Sequence, residues 1–336
     1  MPELKLSLSR VAEEAGVSKA TVSRVLSGAD VRIAADTRQR VQQIAETLGY
    51  SPNRAARALV TGYTQTLALW AVNLRSPFSA QVIYYVSQEI MRHSYDLMVA
   101  AAHVQQNDSL MTSHLLSWPI DAIMALDLPR AAVPGLEKSL LGGKPFVNMG
   151  GYVSERSDYV HVDFKGQVME AIRHLDLVGC RRIGYLVPDW FDWFREGKDA
   201  RLYGYEEVMA DAGKQPEYIL VPNESRRSVG PALADYVERN GCPDGLFCFN
   251  DDMAIGAFRA LKDLGLRIPD DVALVGCDGI EDMTYFDPRI STIVQPLEQM
   301  CMITWAFLER RIKNNHVPLQ QITIQPRLDI RESSQR

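Results

Sequence analysis

The sequence has little cysteine, and none of it is spaced for a disulfide framework or a metal site. Cys180, Cys242, Cys248, Cys277 and Cys301 are odd in number and include no CxxC pair. That points to reduced thiols in the cytoplasm, where a cysteine is a small buried hydrophobe. The six histidines show no HExxH or related spacing, so no metal site is expected. No apolar run approaches the roughly 18 residues that a membrane span needs. The opening MPELKLSLSR lacks the apolar stretch of a signal peptide. Also missing are GxSxG, GxxxxGK[ST] and GxGxxG, so neither an enzyme nor a bound cofactor is expected. The chain also lacks a positive balance. Its formal charge is −6, which taken alone argues against nucleic acid as a partner.

The charge is unevenly placed. The first 60 residues carry nine cations against six anions, a net +3 that leaves −9 for the rest. A small basic module on a larger acidic body is the pattern. The module reads as short helices. Ser7 stands where its hydroxyl can cap the first, Leu6 and Val11 are spaced as a hydrophobic staple, and Gly16 suits the left-handed stop. Ser18 caps a second helix over Lys19 to Leu26, with Val17, Val22 and Val25 as its apolar stripe. A third runs from about Ala35 to Leu48, where Ala34 cannot cap. After Pro52, Asn53 can cap a stretch from Arg54 to Val60 that is too short to be stable alone in water.

From residue 66 the pattern alternates. TLALWAV, DLMVAAA, AIMALDL, KPFVNM, YVHVDF, RRIGYLV, YILV, GLFCFN and VALVGCD are strand runs, and Ala80 to His93 is the first of the helices between them. Alternation of this kind predicts βαβ units. There are too many strands for one comfortable sheet, so two doubly wound parallel-sheet lobes are expected, with ligands at the carboxyl ends of the strands.

Two helices joined through Gly16 fit a helix-turn-helix. In that motif the start of the second helix meets base edges, here Lys19, Ala20, Thr21 and Arg24. Arg24 can pair bidentately with guanine, Lys19 can donate to guanine, and Ala20 can touch a thymine methyl. Ser7, Ser18 and Ser23 can donate to phosphates. The spacing fits a plain helical bundle with solvated cations equally well. The residues themselves favour one reading. LSRVAEEAGVSKATVSRVLSG followed by TRQRVQQIAETLGYSPNRAARALVTG resembles the DNA-binding head of the lactose-repressor/galactose-repressor (LacI/GalR) family. SPF, VDFKG, RLYGY, FNDDMAIGA, GLRIPDDVALVGCD and DPRISTIVQP follow in the family's order, so the resemblance covers essentially the whole chain.

The resemblance implies a helix-turn-helix head at 1–52, a hinge helix at 53–61 and an effector-binding, dimerising core at 62–336. The core would have the two-lobed fold of periplasmic sugar-binding proteins. It implies that Lys19, Ala20 and Arg24 read bases. Leu59 would wedge into the minor groove, with Asn53, Arg54 and Arg57 beside it on the DNA. A marginal helix that orders only against DNA and a second copy is consistent with this role. The chain would cross between lobes near His161–Asp163, Ile290–Val294 and Gln321–Gln325. Residues 62–161 and 293–320 would form one lobe, and 162–290 and 321–336 the other.

Family-matched effector contacts are Phe78, Asp163, Arg195, Arg201, Asn250 and Asp278. Trp193 joins them from the aromatic run at 189–194. Carboxylates at such places also serve as helix caps or internal ion pairs. The sequence departs from the family pattern at Phe164, where an asparagine is common, at Cys277, and at Glu224-Ser225-Arg226-Arg227, which lacks an aromatic. With Arg195, Lys198 and Arg201, these arginines suggest an anionic sugar derivative. The function implied is a cytoplasmic repressor of transcription. Its partners would be a pseudo-palindromic double-stranded operator, a sugar-like effector and a second copy of itself, with no membrane. No leucine heptad follows the last lobe, so a dimer is expected rather than a coiled-coil tetramer. The alternatives are a cytoplasmic solute-binding protein and an α/β enzyme acting on a sugar-like ligand.

Overall fold

The computed structural model describes residues 7–26, 33–50, 58–59, 62–71, 73–101, 118–128, 144–151, 156–189, 199–222 and 225–336. They fall in two compact units, Met1–Gln65 and Thr66–Arg336.

The first unit holds helices α1 (Leu8–Ala15), α2 (Lys19–Leu26) and α3 (Ala35–Thr47). Gly16 ends α1 at φ +65°, a conformation that costs glycine nothing. The Val17 N–H reaches the Ala12 carbonyl at 3.1 Å and the Gly16 N–H reaches Glu13 at 3.2 Å, which satisfies the last carbonyls of the helix. The chain then enters α2 through Ser18, whose Oγ accepts from the Thr21 N–H at 3.1 Å. Ser7 differs from expectation: it occupies the cap position, but its hydroxyl makes no cap bond. The first turn is only partly covered, so water can satisfy its leading N–H groups. Leu6, the other half of the expected staple, lies outside the described residues. Ala34 makes no cap bond, as its side chain requires. Val11, Ala12, Ala15, Val22, Val25, Val41 and Ala45 form one buried cluster, edged by Leu8, Val17, Leu26, Ile44 and Leu48.

All nine apolar runs form strands in the second unit. In chain order the elements are β1 (Thr66–Ala71), α4 (Pro77–Met91), β2 (Asp96–Ala101), β3 (Ala122–Leu126), β4 (Phe146–Gly150), β5 (Asp158–Val162) and α5 (Lys165–Leu177). They continue with β6 (Ile183–Pro188), α6 (Ala200–Asp211), β7 (Glu217–Val221), α7 (Arg226–Asn240), β8 (Gly245–Cys248), α8 (Asp251–Asp263) and β9 (Ala273–Asp278). Last come β10 (Ser291–Val294), α9 (Leu297–Lys313), β11 (Gln321–Ile324) and β12 (Arg327–Asp329). Two six-stranded sheets result, in the orders β11-β5-β4-β3-β1-β2 and β12-β10-β9-β8-β6-β7. Every pairing is parallel except β10 with β12. Fully buried runs such as AIMAL and ALVGCD are what a two-sided parallel sheet demands.

The lobe boundaries need three corrections. β5 runs through Val162, so 162 belongs to the first sheet and not the second. β10 pairs with β9 through Val294↔Asp278, so 293–294 belong to the second sheet and not the first. β11 pairs with β5 through Ile324↔Val162, so 321–324 belong to the first sheet and not the second. The crossings therefore follow the strand ends, at Asp163–Phe164, Gln295–Pro296 and Gln325–Pro326. All three leave the carboxyl ends of strands that run parallel with a neighbour: β5 with β4, β10 with β9 and β11 with β5. The carboxyl edges of both sheets are thereby brought to one inter-lobe region.

Candidate functional site

In the first unit, burial of Val22 and Val25 at 3.6-residue spacing turns the opposite face of α2 outward. Lys19, Ala20, Ser23 and Arg24 are exposed on it and Thr21 is half-buried. Ser18 is exposed and tied to Thr21, its Oγ 2.9 Å from the threonine hydroxyl. Short hydroxyls, a methyl and two long cations on one rigid helical face can meet base edges and phosphates together. Of the expected hinge residues, Asn53, Arg54 and Arg57 lie outside the described residues. Leu59 is helical with Ala58 and is 90% exposed, an apolar side chain left in solvent.

In the second unit, Arg201 stands on the first turn of α6 and is buried. Asp199 caps that helix by accepting from the Arg201 N–H at 2.8 Å. The same carboxylate takes two guanidinium bonds, from Nε at 3.1 Å and Nη2 at 2.9 Å. The guanidinium lies 3.8 Å from the Phe249 ring centroid and 5.1 Å from that of Phe164, and Nη1 donates to the Phe249 carbonyl at 3.3 Å. Phe164 thus forms one wall of an arginine box in place of a polar contact. Its ring edge comes within 3.2 Å of where a Cβ on Gly151 would stand.

Asp278 ends β9 with φ +141° and accepts from Gln295 Nε2 at 3.0 Å. Burial, then the charge of Asp251, pushes its carboxyl well above the ordinary range. Asp251 holds the following loop: its Oδ2 accepts from the N–H groups of Gly279 (2.7 Å) and Ile280 (2.8 Å), and its Oδ1 from the Thr292 hydroxyl (2.7 Å). Burial pushes its carboxyl up to about 6. Cys277, in the same strand, is buried with its thiol pushed far up, chiefly by burial.

Arg201, Asn250 and Asp278 are thus drawn to one place. Asn250 follows the Phe249 that packs on Arg201, and its Oδ1 caps α8 through the Met253 N–H at 2.8 Å. Asp163 caps the start of α5 through the Lys165 N–H at 3.0 Å. Phe78, at the start of α4, packs into the buried core. Trp193, Arg195 and Lys198 lie outside the described residues. Arg226 is engaged by Asp252 at 2.5 Å. Sequence reasoning missed Asp127, Asp199, Asp251 and Gln295. Asp127 follows β3 in the other lobe, and its carboxyl, raised by burial, feels the charges of Arg201 and Asp199. An acid placed directly after an all-apolar central strand is the signal that could have found it. Among the described residues no cluster of His, Cys, Asp and Glu fits a metal ion, and no helix is long and apolar enough to cross a membrane.

Comparison with known proteins gives matches to both units of the chain. Residues 7–53 match the bacterial regulatory proteins of the lacI family, and residues 172–334 match a periplasmic binding protein-like domain. The HTH-type transcriptional repressor PurR of Proteus mirabilis (strain HI4320) is 31% identical over 97% of this chain and 96% of its own. The ribose operon repressor of Haemophilus influenzae is 27% identical over 97% and 98%. Among solved structures, a complex of the transcriptional regulator CelR with cellobiose aligns with TM-score 0.69 at 27% identity, over 97% of this chain and 99% of that one. A lac repressor dimer bound to operator and the anti-inducer ONPF aligns with TM-score 0.83 over 98% of both, and at 22% identity shows the shared fold. With a head, a two-lobed core and full-length relatives in agreement, the chain belongs to the lacI family of bacterial regulatory proteins.

Proposed function

We propose that this protein is a sequence-specific repressor of transcription whose operator affinity is set by a sugar or sugar derivative bound between its core lobes. The observation that carries this reading is the α2 face, where Lys19, Ala20 and Arg24 stand exposed on a helix braced by its own core. It works as a homodimer in the cytoplasm, on a pseudo-palindromic operator whose half-sites lie one helical turn or a multiple apart. Lys19, Ala20, Thr21 and Arg24 read bases. Ser7, Ser18 and Ser23 hold phosphates, and Leu59, flanked by Asn53, Arg54 and Arg57, kinks the operator centre. Arg201, Asn250 and Asp278 hold the effector, with Asp163, Phe78, Trp193 and Arg195 around them. Effector binding changes the angle between lobes and, through it, the pairing of hinge helices. The relatives are regulators of transcription, and the chain is read as a non-catalytic regulator on that ground.

Selection of random duplexes by the full chain tests this reading. A pseudo-palindrome is expected, with Arg24→Ala losing it while ligand binding to the core persists. A chain that enriches no sequence overturns the proposal.

A further inference from the structure

Asp251 ties together three pieces of the second sheet's lobe. It is the first residue of α8 and is fully buried. Its Oδ2 accepts from the Gly279 and Ile280 N–H groups of the turn after β9, and its Oδ1 accepts from the Thr292 hydroxyl of β10. Glycines keep the space around it. A Cβ on Gly276 would overlap Oδ1, and one on Gly279, at φ +80°, would stand 2.7 Å from the Val294 Cα. β10 runs directly into the crossing at Gln295–Pro296, and the Gln295 N–H returns to the Asp278 carbonyl at 3.1 Å. The second crossing therefore leaves from a strand that this carboxylate holds.

The two oxygens differ in what they tolerate. Oδ2 faces two backbone N–H groups, which can only donate. Oδ1 faces a hydroxyl, which can turn round. A proton taken up by Asp251 therefore goes to Oδ1, and the bond reverses, with Thr292 accepting where it had donated. Thr292 Oγ1 keeps a second lone pair for the Gly279 N–H, 3.3 Å away. An ion pair would come apart on protonation, whereas this contact has a hydrogen-bonded form in both states. The groups that face it are the Asp278 carboxyl and Cys277 thiol of β9, the Cys248 thiol of β8 and the Arg331 guanidinium. Arg331 is given to Asp329 and to the Ile290 carbonyl, and Asp252, the next residue of α8, is taken by Arg226. Burial outweighs these influences and pushes the Asp251 carboxyl up to about 6.

We propose that Asp251 is a positioning residue through which a proton sets the second crossing. Ionised, it receives the Thr292 hydroxyl. Protonated, it donates to Thr292 and removes a buried negative charge from beside Asp278, so β10 and the crossing behind it are held differently in the two forms. The role needs no contact between Asp251 and the effector. Operator affinity then depends on pH through the core. The inference rests on the repressor reading above.

Anisotropy titrations of the full chain with the duplex it enriches, between pH 5.5 and 7.5, test it. The first 60 residues hold no histidine, so the head brings no side chain that titrates in this window. One linked proton changes affinity by at most about tenfold per pH unit, and a change of about threefold or more across the window is expected. Asp251→Asn accepts with its one oxygen and donates to Thr292 as the protonated acid does. It should lose the dependence and bind at every pH as wild type does at pH 5.5. A wild-type affinity that is flat with pH, or an Asp251→Asn chain that keeps the wild-type slope, overturns the inference and leaves the repressor reading standing. If Asp251→Asn fails to unfold cooperatively, Thr292 decides. Thr292→Val should flatten the slope and Thr292→Ser should keep it, and equal slopes in the two overturn the inference. A chain that enriches no duplex overturns the repressor reading and this inference with it.

Discussion

Buried ionisable side chains in the cleft tie ligand chemistry to stability. Asp251 and Asp278 both carry carboxyls that burial holds above the ordinary range, Asp251 to about 6. The folded chain therefore keeps protons that the unfolded chain releases near pH 4. The stability these groups contribute is complete below that range and is lost as pH rises through their folded values. For Asp251 the loss is about 3 kcal/mol by pH 7. The paired carboxylates that act in the opposite sense do so at lower pH, as with Asp271, which Arg267 pulls down to about 2. Scanning calorimetry of the ligand-free chain should show the core melting at a higher temperature at pH 5.5 than at pH 8. Asp278→Asn should flatten that slope, because it removes one titrating group and a like charge facing Asp251. A melting temperature independent of pH over this window would contradict the assignment.

Helix packing sets where Arg201 stands. α6 lies against α5 so closely that a Cβ on Gly204 would come 2.8 Å from the Lys165 carbonyl, and main chain cannot swing aside. α7 and α8 repeat the device, with Gly256 facing the Arg226 carbonyl at 2.8 Å. Alanine gains about 1 kcal/mol over glycine in helix propensity, but overpacking costs about 1–3 kcal/mol. Gly204→Ala should lower the urea midpoint and push Arg201 out of register, weakening effector binding too. Gly166→Ala, in α5 with nothing within 4 Å, should leave the midpoint unchanged or raise it. Equal effects from the two substitutions would refute the packing argument. Elements of this kind differed in how legible they were. AIMAL or ALVGCD can only be buried strands, and Gly16 and Ser18 announce the turn between α1 and α2. β10, β11 and β12 carry little strand signal, because STIV, QITI and RLD are three or four residues long and mix polar with apolar side chains. Sheet edges and crossings need little hydrophobicity of their own. The cleft was half legible for a related reason. Arg201, Asn250 and Asp278 sit in local motifs, whereas Asp127 and Gln295 acquire meaning only when two sheets are brought edge to edge.

At the scale of the whole molecule the charge distribution decides how operator affinity responds to salt. A dimer presents two heads of +3 each, while the acidic remainder is repelled by the duplex. Only cations that meet phosphates release counterions, each lowering the slope of log K against log salt by about 0.9. Arg24 and Arg57 should therefore behave differently. Arg24, on the exposed face of α2, is assigned to a base edge, and its loss should relax sequence preference at one position per half-site with the salt slope nearly intact. Arg57 is proposed to flank the Leu59 wedge, and there it would meet phosphates. Its loss from both copies should weaken all sequences alike and make the slope shallower by roughly 2. Operator titrations at several salt concentrations, on matched and mismatched duplexes, separate the two. A shallower slope for Arg24→Ala with preference retained would exchange their roles. An unchanged slope for Arg57→Ala would remove Arg57 from the phosphate contacts and leave Arg54 as the charged flank of Leu59.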